Sequence, residues 1–413
     1  MMYEYLWGGP IHRVKRDIME QSYENGGIKM INLKNFIDSL KITWIRRIIA
    51  DEKDWYKVFF FNFKTEILFG CGDNYAKGIS LNTNNQFWKD VLSAWHNLSN
   101  TAEIDSIEKL LSIPIFHNTK ILIGNKPFFY PNLFQSGYRF INDFIRNDGT
   151  FIDFNEIKNI VPELNFITFH GIVNAVSAFI SKNYKKKPNH NIQQPFIPFN
   201  LKPVLAQKHG VKTIYKILNY KNITSKSTIK WNEIFPNITD SMKSIYALPY
   251  ATTKCTKLQW FQFRINHRII ATNKFLFKIH KRDTDKCTFC KTEIETIEHI
   301  FWECHISQDL IVNFQEIIRQ KQNNNFEFQK EKFILGYLGE MSKQIVLNNI
   351  ILQTKYYIYT MRCLERLPSL NGLLLSLKHM YKVLRYNAVK NNVSNEFSIN
   401  WQNWTSVLFD TPI

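Results

Sequence analysis

The sequence lacks any apolar run long enough to cross a membrane. Its apolar stretches, such as residues 58–61 and 373–375, fall far short of the roughly 18 residues that a spanning helix needs. Residues 1–5 have neither the basic flank nor the apolar centre of a signal peptide. We therefore expect an intracellular protein that has no membrane partner.

Motifs of the common enzyme classes are also missing. The sequence contains no Ser-His-Asp set, phosphate-binding glycine loop or carboxylate pair above chance spacing, and no two Asp residues are adjacent. We therefore predict that the chain is not an enzyme and has no catalytic residues.

Acidic residues are few relative to basic ones. With 53 Lys and Arg against 35 Asp and Glu, the formal net charge is +18 at pH 7. This excess favours a polyanionic partner such as nucleic acid, because Lys and Arg that neutralise phosphates release condensed counterions. The competing interpretation is genomic base composition, since Lys, Asn, Ile and Phe all have A/T-rich codons. Charge alone does not decide between the two.

Cysteine is sparse but clustered, with three of the six cysteines falling within eighteen residues. Together with one histidine they form the pattern C-x2-C-x8-H-x4-C, made of Cys287, Cys290, His299 and Cys304. Three thiolates and one imidazole suit a tetrahedral Zn²⁺ ion that staples two segments together. Because four protein ligands leave no position for a water molecule, we predict a structural zinc ion.

Two alternatives to this ligand set stay open. The cysteines could be ordinary buried thiols beside an unrelated histidine, and His305 could replace His299 as a ligand. A deaminase-type catalytic zinc would need H-x-E followed later by C-x-x-C, an order that is absent here. Cys71, Cys255 and Cys363 are isolated in the sequence, which is typical of packed thiols.

Apolar residues recur at helical spacing along much of the chain. Positions 33, 36, 37, 40, 44 and 48 predict an amphipathic helix over residues 32–50, and positions 87, 91, 92 and 95 predict a second one. Between residues 114 and 149, Pro, Gly and short aromatic runs predict loops and brief strands. Residues 182–189 lack an apolar period and predict an exposed basic linker. We therefore expect a mainly α, elongated protein of several parts.

A basic helix is predicted immediately before the cysteines. Residues 257–270 have apolar positions at 258, 261, 265 and 269, and a helical wheel places Lys257, Arg264 and Arg268 within about 40° of one another, beside Phe261. Cations beside an exposed aromatic suit single strands and RNA–DNA junctions. The alternative is a solvated basic face whose aromatics lie in the core. The predicted nucleic-acid contacts are Lys257, Arg264, Arg268, Lys274, Lys278, Lys281 and Arg282.

These segments resemble the zinc-binding region of LINE-type (non-LTR) retrotransposon reverse transcriptases. The resemblance rests on residues 258–269 (LQWFQFRINHRI), 271–273 (ATN), 287–290 (CTFC), 295–301 (ETIEHIF) and 303–304 (EC). Residues 6–7 (LW), 15–16 (KR), 26–30 (GGIKM) and 40–47 (LKITWIRR) are similar to the segment that leads from the polymerase thumb to that region. Residues 334–336 (ILG) and 355–362 (KYYIYTMR) look like the helical tail. Residues 60–230 resemble the family in general composition and apolar pattern more than in specific motifs.

The resemblance implies a module that grips template RNA and target DNA while a polymerase palm copies the RNA, in the nucleus and cytoplasm. It divides the chain into a thumb-like helical segment (1–60), a connecting region (61–240), a zinc-binding domain (241–330) and a C-terminal helical tail (331–413). The chain departs from the family because it lacks the aromatic-x-Asp-Asp motif of the palm and has no room for the endonuclease domain before Met1. We therefore expect that it neither polymerises nor cleaves DNA.

Two classes of function follow from these observations. The first is a nucleic-acid-binding module that contacts RNA and DNA. The second is a zinc-stapled protein-interaction fragment that docks a separate polymerase core through helices such as residues 356–361. An exposed apolar patch around Trp7 and Trp44 would favour the second class.

Overall fold

A computed structural model describes residues 7, 13–50, 65–82, 85–101, 104, 107–183, 210–219, 225–236, 238–339 and 341–410 of the chain. Within these ranges the protein is mainly helical, as predicted, and no β-strand is present. Isolated β-bridges join Pro114 to Phe140, Ile123 to Lys126, Ile145 to Phe151 and Lys286 to Ile294. No described helix combines the length and the apolar character that spanning a membrane requires.

The α-helices of the described ranges vary in length from 4 to 23 residues. They are α1 (Arg16–Met19), α2 (Leu33–Ala50), α3 (Thr65–Gly70), α4 (Asp73–Asn82), α5 (Gln86–Thr101), α6 (Ile107–Leu111), α7 (Pro131–Gln135), α8 (Phe154–Ile160), α9 (Phe166–Asn183), α10 (Val211–Asn219), α11 (Lys226–Ile234), α12 (Met242–Thr252), α13 (Thr256–Asn266), α14 (Asn273–Lys278), α15 (His305–Gln322), α16 (Lys330–Leu335), α17 (Met341–Cys363), α18 (Leu370–Lys390) and α19 (Ser394–Phe409). Within the described residues, 3₁₀ turns occupy Tyr23–Asn25, Ile141–Phe144 and Thr239–Ser241, and a π turn occupies His299–Glu303.

The chain forms two compact units. One, here called the discontinuous unit, combines Met1–Met30 with Lys221–Ile413, and the other, the inserted unit, is Ile31–Tyr220. The discontinuous unit thus draws residues from all four of the segments predicted from the sequence. The two compact units therefore divide the chain at other positions than the four predicted segments do. The four segments stay a prediction about functional parts.

In the inserted unit, α2 packs against α5 and α10, and α4 packs against α5. Both helices predicted there are confirmed as α2 and α5. However, the apolar stripe that predicted α2 is not its core face, because Ile42 and Ile45 are the α2 residues buried in the core. The stripe is instead largely exposed, with exposed fractions from 39% to 62% at Leu33, Phe36, Ile37 and Leu40.

A second core of the inserted unit is rich in aromatic side chains and includes Phe116, Phe134 and Phe144. The brief strands predicted for residues 114–149 are reduced to isolated bridges. Left-handed turns at Gly124 (φ 57°) and Gly149 (φ 81°) reverse the chain after a few residues, which leaves no length for a ladder. Of the predicted linker 182–189, residues 182 and 183 belong to α9 and the others lie outside the described residues.

In the discontinuous unit, one large core extends from Trp231 to Leu408. It includes Cys287 and Cys304 together with apolar residues of α13, α15, α17, α18 and α19. The predicted metal-binding segment therefore shares its core with the C-terminal tail. Residues from the beginning of the chain join this unit, because the ring of Tyr23 stacks on Tyr250 at a centroid distance of 3.7 Å.

Candidate metal centre

The first two cysteines lie on a tight turn. An isolated bridge between Lys286 and Ile294 closes the turn at its base. Within it, the N–H of Cys287 donates to the carbonyl of Glu293 at 2.7 Å, and the N–H of Lys291 donates to the carbonyl of Cys287 at 3.0 Å. Lys291 adopts a left-handed backbone (φ 62°), which lets the chain reverse directly after Cys290.

His299 and Cys304 lie at the two ends of the π turn. The N–H of Cys304 donates to the carbonyl of His299 at 2.8 Å, which is the five-residue hydrogen bond that defines this turn. Cys304 is also the residue immediately before α15. The second pair of candidate ligands is therefore held by backbone hydrogen bonds and by the start of an 18-residue helix.

The four side chains converge on one point. One ligand atom from each of Cys287, Cys290, His299 and Cys304 lies within 4.8 Å of all the others, so the group could hold a metal ion. The Sγ atoms of Cys287 and Cys304 are 3.9 Å apart, and Sγ of Cys290 is 3.4 Å from Nε2 of His299. A tetrahedral ion with bonds of about 2.3 Å to sulfur and about 2.0 Å to nitrogen separates its ligands by about 3.8 Å (S to S) and about 3.5 Å (S to N). The observed separations fit such an ion.

The other candidates named from the sequence stay outside this group. His305 is exposed, whereas His299 is buried within the cluster. Cys71 is buried in the inserted unit, and burial raises the pKa of its thiol to about 12, as expected of a packed thiol. Cys255 and Cys363 are exposed, so the prediction that they are packed is wrong.

Hydrogen bonds shift the pKa values of the three thiols in different directions. A hydrogen bond from the Cys287 thiol lowers the pKa of Cys304, and the same bond raises the pKa of Cys287. Burial raises the pKa of Cys290, but hydrogen bonds from Glu293 N–H and Thr292 outweigh it and the net pKa is lowered. Because metal ligation requires thiolates, the lowered pKa values of Cys290 and Cys304 favour metal binding.

A buried ion pair between Glu295 and Arg362 packs against the tight turn. The side chain of Glu295 is fully buried, and Arg362 of α17 donates to its Oε1 from Nε at 3.0 Å and from Nη2 at 2.8 Å. The other carboxylate oxygen accepts the N–H of Thr288, between Cys287 and Cys290, at 2.9 Å. Arg362 therefore connects α17 to the backbone between the first two candidate ligands.

Asn273 at the start of α14 completes this network. Its N–H donates to Oε1 of Glu295 at 2.7 Å, and its side-chain amide donates to the carbonyl of Lys286 at 2.7 Å and to Oγ1 of Thr288 at 3.0 Å. Sequence reasoning named Glu295, Asn273 and Arg362 only as parts of motifs. Their contact is invisible in the sequence, because Glu295 and Arg362 are 67 residues apart.

The predicted basic helix before the cysteines is shorter than expected. It ends at Asn266, so Arg268 lies beyond it with a left-handed backbone (φ 56°) and does not extend the basic stripe. Arg268 forms an ion pair with Glu298 and lies over the ring of Trp231 at 4.3 Å. Phe261 is fully buried in the core and is therefore not placed to stack on a base.

The remaining predicted nucleic-acid contacts divide into two groups. Arg282 pairs with Glu365 at 2.7 Å, and Arg264 is half-buried with its Nε atom enclosed. Lys274, Lys278 and Lys281 are exposed. Lys257 is exposed as well, with its Nζ 5.0 Å from the centre of the Tyr356 ring. The four lysines of this set are thus more exposed than its three arginines.

No protein-family model matches the chain, and no curated protein matches its sequence.

Proposed function

We propose that this chain is a zinc-stabilised, nucleic-acid-binding portion of a LINE-type retrotransposon reverse transcriptase that lacks the polymerase and endonuclease active sites. The observation that carries the proposal is the convergence of Cys287, Cys290, His299 and Cys304 within 4.8 Å in a chain of net charge +18. The sequence resemblance supplies the family, and template RNA and target DNA are the partners that it implies.

Zinc is the metal that this donor set fits best. Three thiolates and one imidazole at tetrahedral separations are the ligands of structural zinc sites. Because the protein supplies all four ligands, the ion would have no open position for a reacting water molecule. Its role would be to join the tight turn at Cys287 to the start of α15, so that the free energy of zinc binding is folding free energy.

Nucleic acid is the proposed partner because of the charge around this site. Lys274, Lys278 and Lys281 are exposed on the segment that precedes Cys287. Such cations would neutralise phosphates, and binding would weaken steeply as salt concentration rises. A role in the nucleus and cytoplasm belongs to the same proposal.

The zinc part of the proposal is tested by a pair of cysteine variants. We expect Cys290→Ser to lose bound zinc and to become sensitive to protease between residues 285 and 305, because one ligand and its folding free energy are lost. Zinc released from purified protein is measured with a chromophoric chelator. Cys255→Ser, which changes an exposed thiol outside the cluster, is the matched control and should keep both properties. Full zinc content in Cys290→Ser would disprove the site.

The nucleic-acid part is tested by fluorescence anisotropy with a labelled RNA–DNA hybrid that carries single-stranded overhangs. Tight, salt-sensitive binding that weakens after zinc chelation supports the proposal. Absence of binding at low salt would reject it.

A second function, docking of a separate protein such as a polymerase core, is favoured by the exposed face of α2. Leu33, Phe36, Ile37 and Leu40 form a solvent-facing apolar stripe there. The patch expected around Trp7 and Trp44 is less open, because Trp7 packs near Trp260 and Trp44 packs near Phe87, with both tryptophans half-buried. The predicted docking helix 356–361 is mostly committed to the core, since Tyr357, Ile358 and Tyr359 are buried. Binding of a separately purified polymerase core that Leu33→Asp and Leu40→Asp abolish would favour this second function.

A further inference from the structure

Helix α18 carries a basic surface that is separate in sequence from the cations before the cysteines. Residues 366–395 contain five Lys and Arg residues and no Asp or Glu. Four of the five, Lys378, Lys382, Arg385 and Lys390, lie on α18 itself. The segment is therefore uniformly basic, whereas the chain as a whole mixes both signs of charge.

Three of these cations share one face of the helix. Leu373, Leu374 and Leu377 are fully buried and mark the inner face, which packs on α17 and α19. At about 100° per residue, Lys378, Lys382 and Arg385 fall within about 60° of one another, on a face centred about 100° from the buried leucines, over about 10 Å of helix. Tyr386 follows about 40° from Lys382 on the same wheel. The outer face thus presents three aligned cations beside one aromatic ring.

This face is open to solvent. Tyr386 is 69% exposed, Lys382, Arg385 and Lys390 are exposed, and Lys378 is half-buried. Across the described ranges of the chain, none of these four cations forms an ion pair with a carboxylate. The arrangement differs from that of Arg268 and Arg282, whose charges are taken up by Glu298 and Glu365.

We propose that the surface formed by Lys378, Lys382, Arg385, Tyr386 and Lys390, here called the α18 surface, binds single-stranded nucleic acid. The inference rests on the proposed function and adds to it a site outside the metal-binding segment. Unpaired cations in a row can follow a phosphate backbone, and an exposed ring beside them can stack on a base that is not paired. A duplex offers the phosphates but encloses its bases.

A membrane surface fits the α18 surface less well. A helix that lies in a lipid interface immerses its apolar face, whereas the apolar face of α18 is already buried in the protein core. The exposed apolar side chains Leu375, Val383 and Val389 are interleaved with the cations on the helical wheel. An acidic peptide would use the cations but gives no role to the exposed ring of Tyr386.

The test uses the full chain loaded with zinc and compares a single-stranded oligonucleotide with its duplex by fluorescence anisotropy at several salt concentrations. In one variant, Lys378, Lys382, Arg385 and Lys390 are changed to Gln. The matched control changes Lys226, Lys230, Lys243 and Lys254 to Gln, which removes the same charge from exposed positions elsewhere in the discontinuous unit. A third variant is Tyr386→Ala.

We expect the α18 variant to reduce the slope of log affinity against log salt by up to about 2.8, because each phosphate contact to a single strand contributes about 0.7. We expect Tyr386→Ala to weaken single-strand binding about 5-fold to 150-fold, which is the effect of losing one stacked base, and to leave duplex binding nearly unchanged. The control variant should keep most of the slope. Unchanged zinc content and melting temperature would show that each variant is folded.

The possible failures are distinguishable. If the wild-type chain binds but the α18 variant binds equally well, or if the control loses as much affinity, the α18 surface is rejected and the proposed function survives. If the wild-type chain binds no oligonucleotide, both proposals are rejected. Both are also rejected if the chain binds anionic phospholipid vesicles but no oligonucleotide. Should the fourfold variant misfold, Lys382→Gln and Tyr386→Ala carry the test, since both positions are exposed.

Discussion

Two sets of cationic side chains in the discontinuous unit differ in what surrounds them. Arg362 and Lys355, both on α17, are enclosed by the core, and the first faces a carboxylate while the second faces only carbonyl oxygens. The cations of α18 face solvent. A buried charge raises or lowers the free energy of unfolding, depending on whether a partner of opposite charge lies beside it. An exposed charge changes that free energy little and can instead bind a ligand. The same residue types therefore have opposite roles one helix apart.

The enclosed ion pair gives the largest expected effect. We predict that Arg362→Met lowers the free energy of unfolding by about 3–5 kcal/mol, because it leaves the buried carboxylate of Glu295 without its counter-charge. Zinc affinity should fall as well, since Glu295 holds the N–H of Thr288 between two candidate ligands. Urea unfolding and competition with a chelator measure the two quantities. Arg366→Met, at an exposed position four residues on, is the control.

A double variant sharpens this result. Arg362→Met combined with Glu295→Gln should recover part of the lost stability, because Gln carries no charge and its one side-chain oxygen can still accept the N–H of either Thr288 or Asn273. If the double variant is less stable than the sum of the two single variants predicts, the ion pair is not what stabilises the turn.

Lys355 gives the next effect, and this effect depends on pH. Its Nζ donates to Oε1 of Gln262 and to the carbonyl of Ile334, both at 2.6 Å, and burial lowers its pKa from 10.5 to about 7. Between pH 7 and 10.5 the unfolded chain therefore binds more protons at this site than the folded chain, so stability rises with pH across that window.

We predict that the difference in unfolding free energy between wild type and Lys355→Met changes by about 2–4 kcal/mol over this window. Each pKa unit contributes about 1.4 kcal/mol, and the total is reduced because the two hydrogen bonds stabilise the charged amine. Urea unfolding of both proteins at a series of pH values provides the measurement. A difference that does not vary with pH would show that the amine stays charged in the folded protein.

His267 gives a smaller effect in the acid range. Its Nε2–H donates to the carbonyl of Gly26 at 2.7 Å, and burial lowers its pKa from 6.5 to about 4. Because the unfolded chain binds the proton more readily, stability contributed by the neutral ring is present above pH 6.5 and is lost as pH falls toward 4. We predict that wild type loses about 2 kcal/mol more than His267→Gln across this interval, as followed by thermal unfolding. Equal losses would contradict the neutral buried ring.

Part of this architecture could be predicted from the sequence because it is local. Apolar spacing predicted α2 and α5, and the spacing of Cys287, Cys290, His299 and Cys304 predicted a group that the structure brings together. Local patterns specify these features because a helix or a turn is formed by residues that are neighbours in the chain.

The features that could not be predicted depend on distant residues. A helical wheel placed Arg268 on a basic stripe, but Glu298, 30 residues away, draws it into an ion pair after the helix has ended. The wheel also placed Phe261 beside the cations. It could not show that α17 covers Phe261, whose ring lies 5.2 Å from that of Tyr356. The basic character of residues 366–395 was visible in the sequence, whereas its exposure on one face of α18 was not.

The hydrogen bond between His267 and Gly26 joins residues that are 241 positions apart, and this has a consequence for the order of folding. During synthesis the inserted unit, residues 31–220, can complete its own contacts while the ribosome is still translating the rest. Residues 13–30 are translated before the inserted unit but must wait for α12 and α13 before their packing partners exist. The contacts of residues 13–30 with α12 and α13 thus form only after residues 31–220 have been translated, and closing so long a loop makes this a slow step of assembly.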